Sequence, residues 1–230
     1  MSKGEDVKEH ATEGIYFDLD GVLTDTAEFH YLAWKQIGEQ LGIPVDRALN
    51  ERLKGVSRME SLERILAAAP RPLHLSPGEK EQWATQKNAL YQELIETIRP
   101  SDRLPGIDGL LNEIRSANIL LALGSASRNA KLVLERLDLA DAFDYIVDAG
   151  QIRFGKPHPE TFVNAADHFG LPYETCIGVE DSAAGIEAIN AAGMFSVGIG
   201  SPDALSEAKY RVADTSLLTL GGILEAYGIG

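Results

Sequence analysis

Five short apolar segments, each ending in small or acidic residues, constrain the fold of this chain more than any other feature. They lie at residues 14–18, 119–125, 145–148, 175–180 and 195–199. Because they are apolar throughout, we expect strands that are buried on both faces, as in a parallel sheet. Helical patterns, with apolar residues three or four positions apart, lie beside the later strands at 110–117, 127–137, 159–170 and 182–193. The sequence therefore predicts an α/β fold, a Rossmann-like parallel sheet covered by helices.

Residues 25–98 interrupt this alternation, because they contain no convincing strand. Apolar stripes at helical spacing predict four helices there, and Ser57 and Ser76 each precede a glutamate by three residues, the spacing of a capping box. The chain enters this segment directly after its first strand, so the segment is expected to cover the strand ends like a lid. We therefore expect a catalytic core of residues 1–24 and 99–230 and an inserted all-α, four-helix cap of residues 25–98.

Composition excludes several classes of function. The 230 residues include 21 Lys and Arg against 35 Asp and Glu, a net charge of −14, and sequence-independent binding to nucleic acid depends on Lys and Arg. No stretch approaches the roughly 18 apolar residues of a membrane-spanning helix, and the first ten residues lack the apolar segment of a secretory signal. Cys176 is the single cysteine, so an internal disulfide is impossible. We expect a cytoplasmic monomer with small-molecule partners, no nucleic acid and no membrane.

Two aspartates, Asp18 and Asp20, follow the first predicted strand directly. In an extended chain they point to the same side, so both carboxylates are able to face one site. Asp-x-Asp alone is a weak signal, and two acids in a solvated loop are the ordinary alternative. Their position after a buried strand and before Gly21 favours a site, because active sites in parallel sheets lie at the carboxyl ends of the strands.

The other strand ends carry groups suited to phosphate chemistry. Ser125 and the N–H of Ala126 precede a helix, where anions bind readily, and Lys156 places a cation before another helix. Glu180 and Asp181 end the fourth strand with oxygen ligands of the kind that Mg²⁺ prefers. Each signal alone is compatible with a helix cap, a surface lysine or an acidic helix start. Together, at the ends of four strands, they predict one site.

The series from Asp18 to Glu180 and Asp181 resembles the haloacid dehalogenase-like superfamily over about residues 14–200. The helical insertion is similar to the small α-helical cap of that family. Segments 24–34, 53–58, 86–88 and 125–129 further resemble its sugar phosphomutases. Those enzymes interconvert β-D-glucose 1-phosphate and D-glucose 6-phosphate through β-glucose 1,6-bisphosphate, which is also an activator, and an aspartyl-phosphate enzyme.

The resemblance implies a role for each residue at the strand ends. Asp18 would be the nucleophile and Asp20 the general acid and base. Mg²⁺ would be held by Asp18, the backbone carbonyl of Asp20, Asp181 and Glu180, the last either directly or through water. The transferring phosphoryl group would be held by three residues, Ser125, Ala126 and Lys156.

A mutase must also bind the sugar and the phosphate that is not reacting. The residues that the resemblance assigns to this task are His30, Trp34, Lys54, Gly55, Val56, Ser57, Arg58, Lys87, Ser127, Arg128 and Asn129. The ordinary alternatives are a surface histidine at 30, a core tryptophan at 34, and solvated charges at 58 and 128. The resemblance instead places His30 against the sugar and Asp20, with Lys87 as its partner. The hinge of the cap would be Thr24, Asp25 and Thr26.

Other functions on the same scaffold remain open from the residues alone. The nearest is a Mg²⁺-dependent sugar-phosphate phosphatase with a permissive cap. A dehalogenase is disfavoured because Asp20 supplies a proton transfer that halide displacement does not need. A non-catalytic sugar-phosphate-binding protein is disfavoured because all four core motifs are intact. A mutase would further imply a reaction that supplies β-glucose 1-phosphate, such as an inverting disaccharide phosphorylase.

Overall fold

One parallel sheet organises the protein in the computed structural model, which describes residues 12–53 and 55–228. Its strands are β1 Gly14–Phe17, β2 Leu120–Leu123, β3 Tyr145–Ile146, β4 Cys176–Glu180, β5 Phe195–Ile199 and β6 Tyr210–Val212. They are ordered β3-β2-β1-β4-β5-β6, and every pairing is parallel. This confirms the predicted fold class. The sequence patterns did not predict β6, because it has only three residues and exposes Arg211 at its centre.

Helices precede, follow and cover the sheet. They are α1 Ala27–Leu41, α2 Arg47–Glu51, α3 Arg58–Ala67, α4 Pro77–Ile95, α5 Ile107–Ser116, α6 Ala130–Arg136, α7 Glu160–Phe169, α8 Ala183–Ala191 and α9 Leu220–Tyr227. The patterns missed α9, whose Gly221 and Gly222 lower helix propensity. Burial of Leu220 and Ile223 and a cap bond from the Gly222 N–H to Thr219 compensate. None of these helices has the length and hydropathy that crossing a bilayer requires.

Strand β1 lies at the centre of the sheet, between β2 and β4. Ile15 and Phe17 join the buried cluster on one face, whereas Tyr16 joins the cluster on the other face with Phe162 of α7. Both faces are therefore covered, which explains why the segment is apolar throughout. The carboxyl end of β1 delivers Asp18 to the middle of the sheet edge, where its N–H donates to the Val179 carbonyl at 3.0 Å.

Helices α1 to α4 have a buried cluster of their own beside the strand ends. It consists of Trp34, Ile37, Ile43, Val45, Leu49, Leu53, Leu62, Ile65 and Ala84. Tyr91 and Ile95 of α4 instead join the main cluster beneath them. The chain leaves the sheet near Thr24 and returns to it near Asp102. A hydrogen bond joins these two connections, because the Thr24 hydroxyl donates to the Asp102 carbonyl at 2.8 Å. A cluster of its own and paired crossings favour treating this segment as a unit.

The helix starts differ from the predicted capping boxes in one respect. Ser76 makes the complete box with Glu79 at the start of α4. Ser57 caps α3 by accepting from the Glu60 N–H at 3.3 Å, but the Glu60 carboxylate pairs with Arg64. Arg64 lies one helical turn further along, so its charge competes successfully for the side chain that the box would use.

Candidate active site

The carboxyl ends of the strands and the facing helices enclose a cavity of about 340 Å³. The predicted residues that line it from the sheet side are Asp18, Asp20, Ser125, Ala126, Ser127, Arg128 and Asp181. Those that line it from the helical side are Asp25, His30, Trp34, Gly55, Val56, Ser57, Arg58 and Lys87. Lys156, Glu180, Asn129, Thr24 and Thr26 are buried beside it. Lys54 lies outside the described residues.

Lys156 joins two buried carboxylates behind the cavity. Its ammonium donates to Asp18 Oδ1 at 2.8 Å and to Glu180 Oε1. Glu180 is fully buried, and its other oxygen accepts from the Ser182 N–H at 2.9 Å and the Ser182 hydroxyl at 2.8 Å. Gly185 is required nearby, since a Cβ there would overlap the Glu180 carboxylate. Because removing a partner would strand a buried charge, this network holds Asp18 firmly at the sheet edge.

Burial dominates the electrostatics of Asp18. It raises the pKa of Asp18 to about 7, with Glu180 and Asp20 acting in the same direction and Lys156 opposing them. Burial also lowers the pKa of Lys156, but the adjacent Asp18 and Glu180 carboxylates outweigh it and raise that pKa above its usual range. Lys156 is therefore a permanent cation. A further positive charge at this edge would favour ionised Asp18.

The acidic side chains at the sheet edge fit a hard divalent cation. One oxygen each from Asp18, Glu180 and Asp181 lies within 4.8 Å of the others. Gly21, with φ of 70°, leaves room for Asp181, because a Cβ at that position would overlap the Asp181 carboxylate. A set of carboxylate oxygens suits Mg²⁺. Glu180 already accepts hydrogen bonds on both oxygens, so it supports Lys156 and Ser182 in addition to facing the cation site.

The loop between β2 and α6 presents polar groups to the same space. Ser125 is buried, and its hydroxyl accepts from the Ser127 N–H at 3.1 Å. The Ser127 hydroxyl accepts in turn from the Asn129 N–H at 3.2 Å. These short-range bonds give the loop a defined shape, with Ala126 and Arg128 on the cavity wall. The loop is thus arranged to surround an anion.

Two arginines from different parts of the chain face each other across the cavity. Burial lowers the pKa of Arg58, and the charge of Arg128 lowers it further. The Arg58 guanidinium also donates to the Ala84 carbonyl at 3.3 Å, which positions it on the helical side. Like charges brought together in a partly buried space favour binding of an anion between them. The pair therefore offers positive charge to an anion within the cavity.

Asn129 connects the sheet side to helix α4 instead of lining the cavity. Its amide donates to Asn88 Oδ1 at 2.8 Å and accepts from Gln92 Nε2 at 3.0 Å. Both ends of the amide are therefore occupied by side chains of the helical segment. The resemblance assigned Asn129 to phosphate binding, whereas the structure gives its side chain a contact between the two sides of the cavity.

Asp20 is linked to helix α4 through His30. Asp20 Oδ1 accepts from the N–H of Thr26 at 3.2 Å and from its hydroxyl, while Oδ2 lies 3.8 Å from His30 Nε2. The ammonium of Lys87 lies 2.7 Å from His30 Nδ1, and the His30 ring stacks on Tyr91 with centroids 4.0 Å apart. The predicted partners are thus adjacent in space although they come from three segments of the chain.

Burial shifts the pKa of all three titratable groups in this line. It raises the pKa of Asp20, against the opposing hydrogen bonds from Thr26. It lowers the pKa of His30 well below the usual range, with Lys87 and then Arg58 adding to the effect. It lowers the pKa of Lys87 to about 7, with Arg58 acting in the same direction. His30 is therefore neutral, and Asp20 retains a proton more readily than an exposed aspartate.

Sequence reasoning missed several residues that line the cavity. They are Asn50, Leu53, Met59, Ser61, Glu81, Asn88, Ile152, Arg153 and Thr161. Asn50 lies in the short helix α2 directly after the buried Leu49, and a polar residue beside a buried leucine was the only local signal for it.

Comparisons with known proteins agree with this geometry. Residues 12–193 match the family model of the haloacid dehalogenase-like hydrolases. The chain is 47% identical over 208 residues to a β-phosphoglucomutase of Bacillus subtilis, covering 90% of this chain and 92% of that protein. It is 32% identical to a phosphorylated carbohydrates phosphatase of Thermotoga maritima, covering 79% and 82%. The crystal structure of a β-phosphoglucomutase from Clostridium difficile superposes with a TM-score of 0.92 at 47% identity, covering 94% and 97%.

Proposed function

The chain belongs to the haloacid dehalogenase-like hydrolase family, and we propose that within it the protein is a β-phosphoglucomutase, an intramolecular phosphotransferase. It interconverts β-D-glucose 1-phosphate and D-glucose 6-phosphate, the reaction that the sequence predicted. The observation that carries this proposal is the line from Lys87 through His30 to Asp20, because it connects the helical segment to the proposed acid and base. A mutase must hold water off its phosphoenzyme until sugar is bound, and this connection lets the helical segment influence the proton-transferring group.

Asp18 begins the reaction as the nucleophile. Its carboxylate oxygen forms a bond to phosphorus as the bond from phosphorus to the sugar oxygen breaks, which leaves an aspartyl phosphate. Lys156 holds the Asp18 and Glu180 carboxylates in position through its hydrogen bonds to both. The Ser125 hydroxyl and the Ala126 N–H offer donors to the phosphoryl oxygens. Asp18, Asp181 and the Asp20 carbonyl, with Glu180 beside them, would hold Mg²⁺, which would supply charge that offsets the carboxylates and phosphate oxygens.

Asp20 moves the proton in both directions. It donates a proton to the departing sugar oxygen and takes one from the hydroxyl that attacks the aspartyl phosphate. Its raised pKa suits a group that must carry a proton before the first step. With Lys87 donating to Nδ1, the proton of the neutral His30 ring is on Nε2, the nitrogen that faces Asp20. His30 thereby orients Asp20 or a sugar hydroxyl with a single donor.

The second phosphate explains why the site needs two arginines. In β-glucose 1,6-bisphosphate, which we propose as intermediate and activator, one phosphate lies at Asp18 and the other lies between Arg58 and Arg128. Arginine suits this contact because its planar fork binds phosphate oxygens in pairs. We further propose that residues 25–98 act as a closing cap, with Thr24, Asp25 and Thr26 as its hinge. Closure excludes water from the aspartyl phosphate, so that a sugar hydroxyl attacks it instead.

We propose two further features. The enzyme acts in the cytoplasm, which is consistent with its single, buried and free cysteine, and it acts as a monomer. Its substrate comes from a reaction that releases β-glucose 1-phosphate, such as an inverting disaccharide phosphorylase.

One assay separates the mutase from a sugar-phosphate phosphatase, the activity named for the Thermotoga maritima relative. The protein is incubated with pure α- or β-glucose 1-phosphate, Mg²⁺ and a trace of the bisphosphate, and glucose 6-phosphate and inorganic phosphate are both measured. We expect glucose 6-phosphate from the β anomer alone. Steady release of phosphate without glucose 6-phosphate would overturn the mutase.

The same assay tests covalent catalysis. Asp18→Asn removes the nucleophile, so we expect loss of turnover and of the aspartyl phosphate. Full turnover in Asp18→Asn would instead support a protein whose binding site does not use Asp18 chemically.

A further inference from the structure

Asn50 is a buried polar side chain that the reaction described above does not use. It lies in helix α2, is 7% exposed and lines the cavity. Across residues 12–53 and 55–228, no described group forms a hydrogen bond with its side-chain amide. The described side-chain atoms that are cut off from solvent without a partner are Thr12 Oγ1 and Arg103 Nε, so the Asn50 amide still reaches the space of the cavity. A ligand that fills this space displaces water from the amide and has to supply hydrogen-bond partners in its place.

The backbone around Asn50 holds the side chain in place. Asp46 caps α2 by accepting from the Leu49 N–H at 2.7 Å, and the Leu53 N–H donates to the Asn50 carbonyl at 2.9 Å. Leu49 and Leu53 are buried in the cluster of the helical segment. The backbone of Asn50 is therefore held in place, and ligand binding costs little conformational entropy at this residue.

The second attachment of α2 lies on the outside. Arg47 pairs with Glu28 of α1 through two hydrogen bonds of 2.7 and 3.0 Å, and its guanidinium lies 4.5 Å from the centroid of Tyr31. These contacts involve neither the cavity nor Asn50. They anchor the helix independently, so substitution of Asn50 leaves its attachment intact.

The chemistry of the amide identifies the class of ligand group. Asn offers two donors and one acceptor in a plane, which matches neighbouring hydroxyl groups. Phosphate oxygens are acceptors, and Arg58, Arg128 and Ser125 already offer donors to them in the same cavity. Trp34 lines the cavity as well, and an apolar ring beside a few polar groups is typical of a small-molecule site.

We propose that Asn50 binds ring hydroxyls of the hexose phosphate and thereby selects which sugars react. This inference rests on the proposed function, because it requires a hexose phosphate as substrate. The role is in binding and specificity, since Asn50 takes no part in the transfer of the phosphoryl group or the proton.

The test compares the parent with Asn50→Leu, which keeps the size of the side chain and removes its hydrogen bonds. Turnover is measured with β-glucose 1-phosphate and with its 2-deoxy and 3-deoxy analogues. In the parent, removal of the hydroxyl that Asn50 contacts should lower kcat/KM roughly 10- to 100-fold. Asn50→Leu should have the same lowered kcat/KM with intact β-glucose 1-phosphate. Removing that hydroxyl from the substrate should then lower the kcat/KM of Asn50→Leu no further. Asn112→Leu, an exposed position on α5, is the matched control and should behave as the parent.

Two readouts separate binding from a structural role. Hydrolysis of acetyl phosphate should be unchanged in Asn50→Leu, because that small substrate has no ring hydroxyls. Thermal stability without ligand should be equal or slightly higher, because a polar side chain that lies largely out of solvent is replaced by an apolar one of the same size. Retained discrimination among the analogues in Asn50→Leu would overturn the proposal, as would parallel losses of stability and acetyl phosphate hydrolysis.

Failure of the mutase proposal is distinguishable from failure of this inference. If the parent forms no glucose 6-phosphate but releases inorganic phosphate, the same comparison is made on phosphate release. Loss of hydroxyl discrimination in Asn50→Leu then still supports Asn50 as the sugar-reading residue of a phosphatase, and retained discrimination still overturns it.

Discussion

The ammonium group of Lys87 lies 2.7 Å from Nδ1 of His30. Lys87 is 3% exposed, and its ammonium also lies over the rings of Tyr91 and Trp34, at 4.7 and 5.1 Å from their centroids. Among the described residues, no carboxylate lies at hydrogen-bond distance from this ammonium group, and Asp20 raises its pKa only from further away. The protein thus places an ammonium group whose charged form is destabilised by burial where the helical segment contacts the proposed acid, Asp20.

Lys87→Met should stabilise the free protein, and the gain should depend on pH. Burial and then Arg58 lower the pKa of folded Lys87 to about 7, below the usual 10.5. Below pH 7 both folded and unfolded Lys87 are charged, so the parent carries the full penalty. Between pH 7 and 10.5 the unfolded chain binds more protons, so the parent gains stability as the pH rises. The advantage of Lys87→Met should therefore shrink by roughly 2–5 kcal/mol over that window.

Denaturant unfolding at several pH values measures this difference. Lys80→Met is the control, because Lys80 lies on the same helix in an exposed ion pair of 2.7 Å with Glu63. Its effect should stay below about 1 kcal/mol. If the difference in free energy of unfolding between the parent and Lys87→Met stays constant from pH 6 to 10, the pKa of Lys87 is not lowered by folding.

His30→Ala should depress mutase turnover far more than hydrolysis of acetyl phosphate. In the proposed reaction His30 orients Asp20 for a sugar substrate, so we expect a loss of roughly 10- to 100-fold in kcat for glucose 1-phosphate. The small acyl phosphate needs no such alignment. His74→Ala, at an exposed position in the loop before α4, provides the comparison and should retain both activities. Equal losses in the two assays would assign His30 a structural role.

Arg58→Ala should raise the KM for the bisphosphate about 10- to 100-fold, because a charged hydrogen-bonding partner of the second phosphate is lost. Formation of the aspartyl phosphate from acetyl phosphate should be spared. Arg58→Lys should recover part of the affinity, since it keeps the charge without the fork. Arg64→Ala, on the same helix, controls for helix stability. An unchanged KM in Arg58→Ala would remove Arg58 from the phosphate site.

Gly55→Ala should impair the approach of the helical segment to the sheet edge. Gly55 has φ of 71°, and a Cβ there would lie 2.8 Å from the Ser182 hydroxyl oxygen. The substitution therefore meets both backbone strain and a close contact beside the proposed cation site. We expect kcat/KM for glucose 1-phosphate to fall at least about 10-fold, the equivalent of about 1.4 kcal/mol.

Gly78→Ala is the matched control, because a Cβ at that position in α4 would meet no described atom within 4 Å beyond its chain neighbours and its own helix backbone. It should leave kinetics unchanged and leave stability equal or slightly higher, since alanine favours the helix. Parent-like kinetics in Gly55→Ala would show that residues 55 and 182 do not need to approach each other during turnover.

The sequence alone determined the parallel sheet and the place of its site. Segments such as 175–180 are apolar throughout, and only burial on both faces accommodates them, so the strand type followed from local composition. The carboxyl ends of such strands meet at one edge, so the sequence alone predicted that Asp18 and Glu180 lie close together. Helix caps such as Ser76 were also predictable, because the bonds that form them span three residues.

Tertiary structure decided which partners these residues have. Lys156 bonds Asp18 across 138 positions of sequence, Asn129 uses its amide on α4, and Asn50 is left without a described partner. None of these outcomes is encoded by neighbouring residues. The pKa of Lys87 likewise depends on burial and on Arg58, which comes from another helix. Local spacing sets which groups reach the site, whereas distance and desolvation across the fold set their charge and their chemistry.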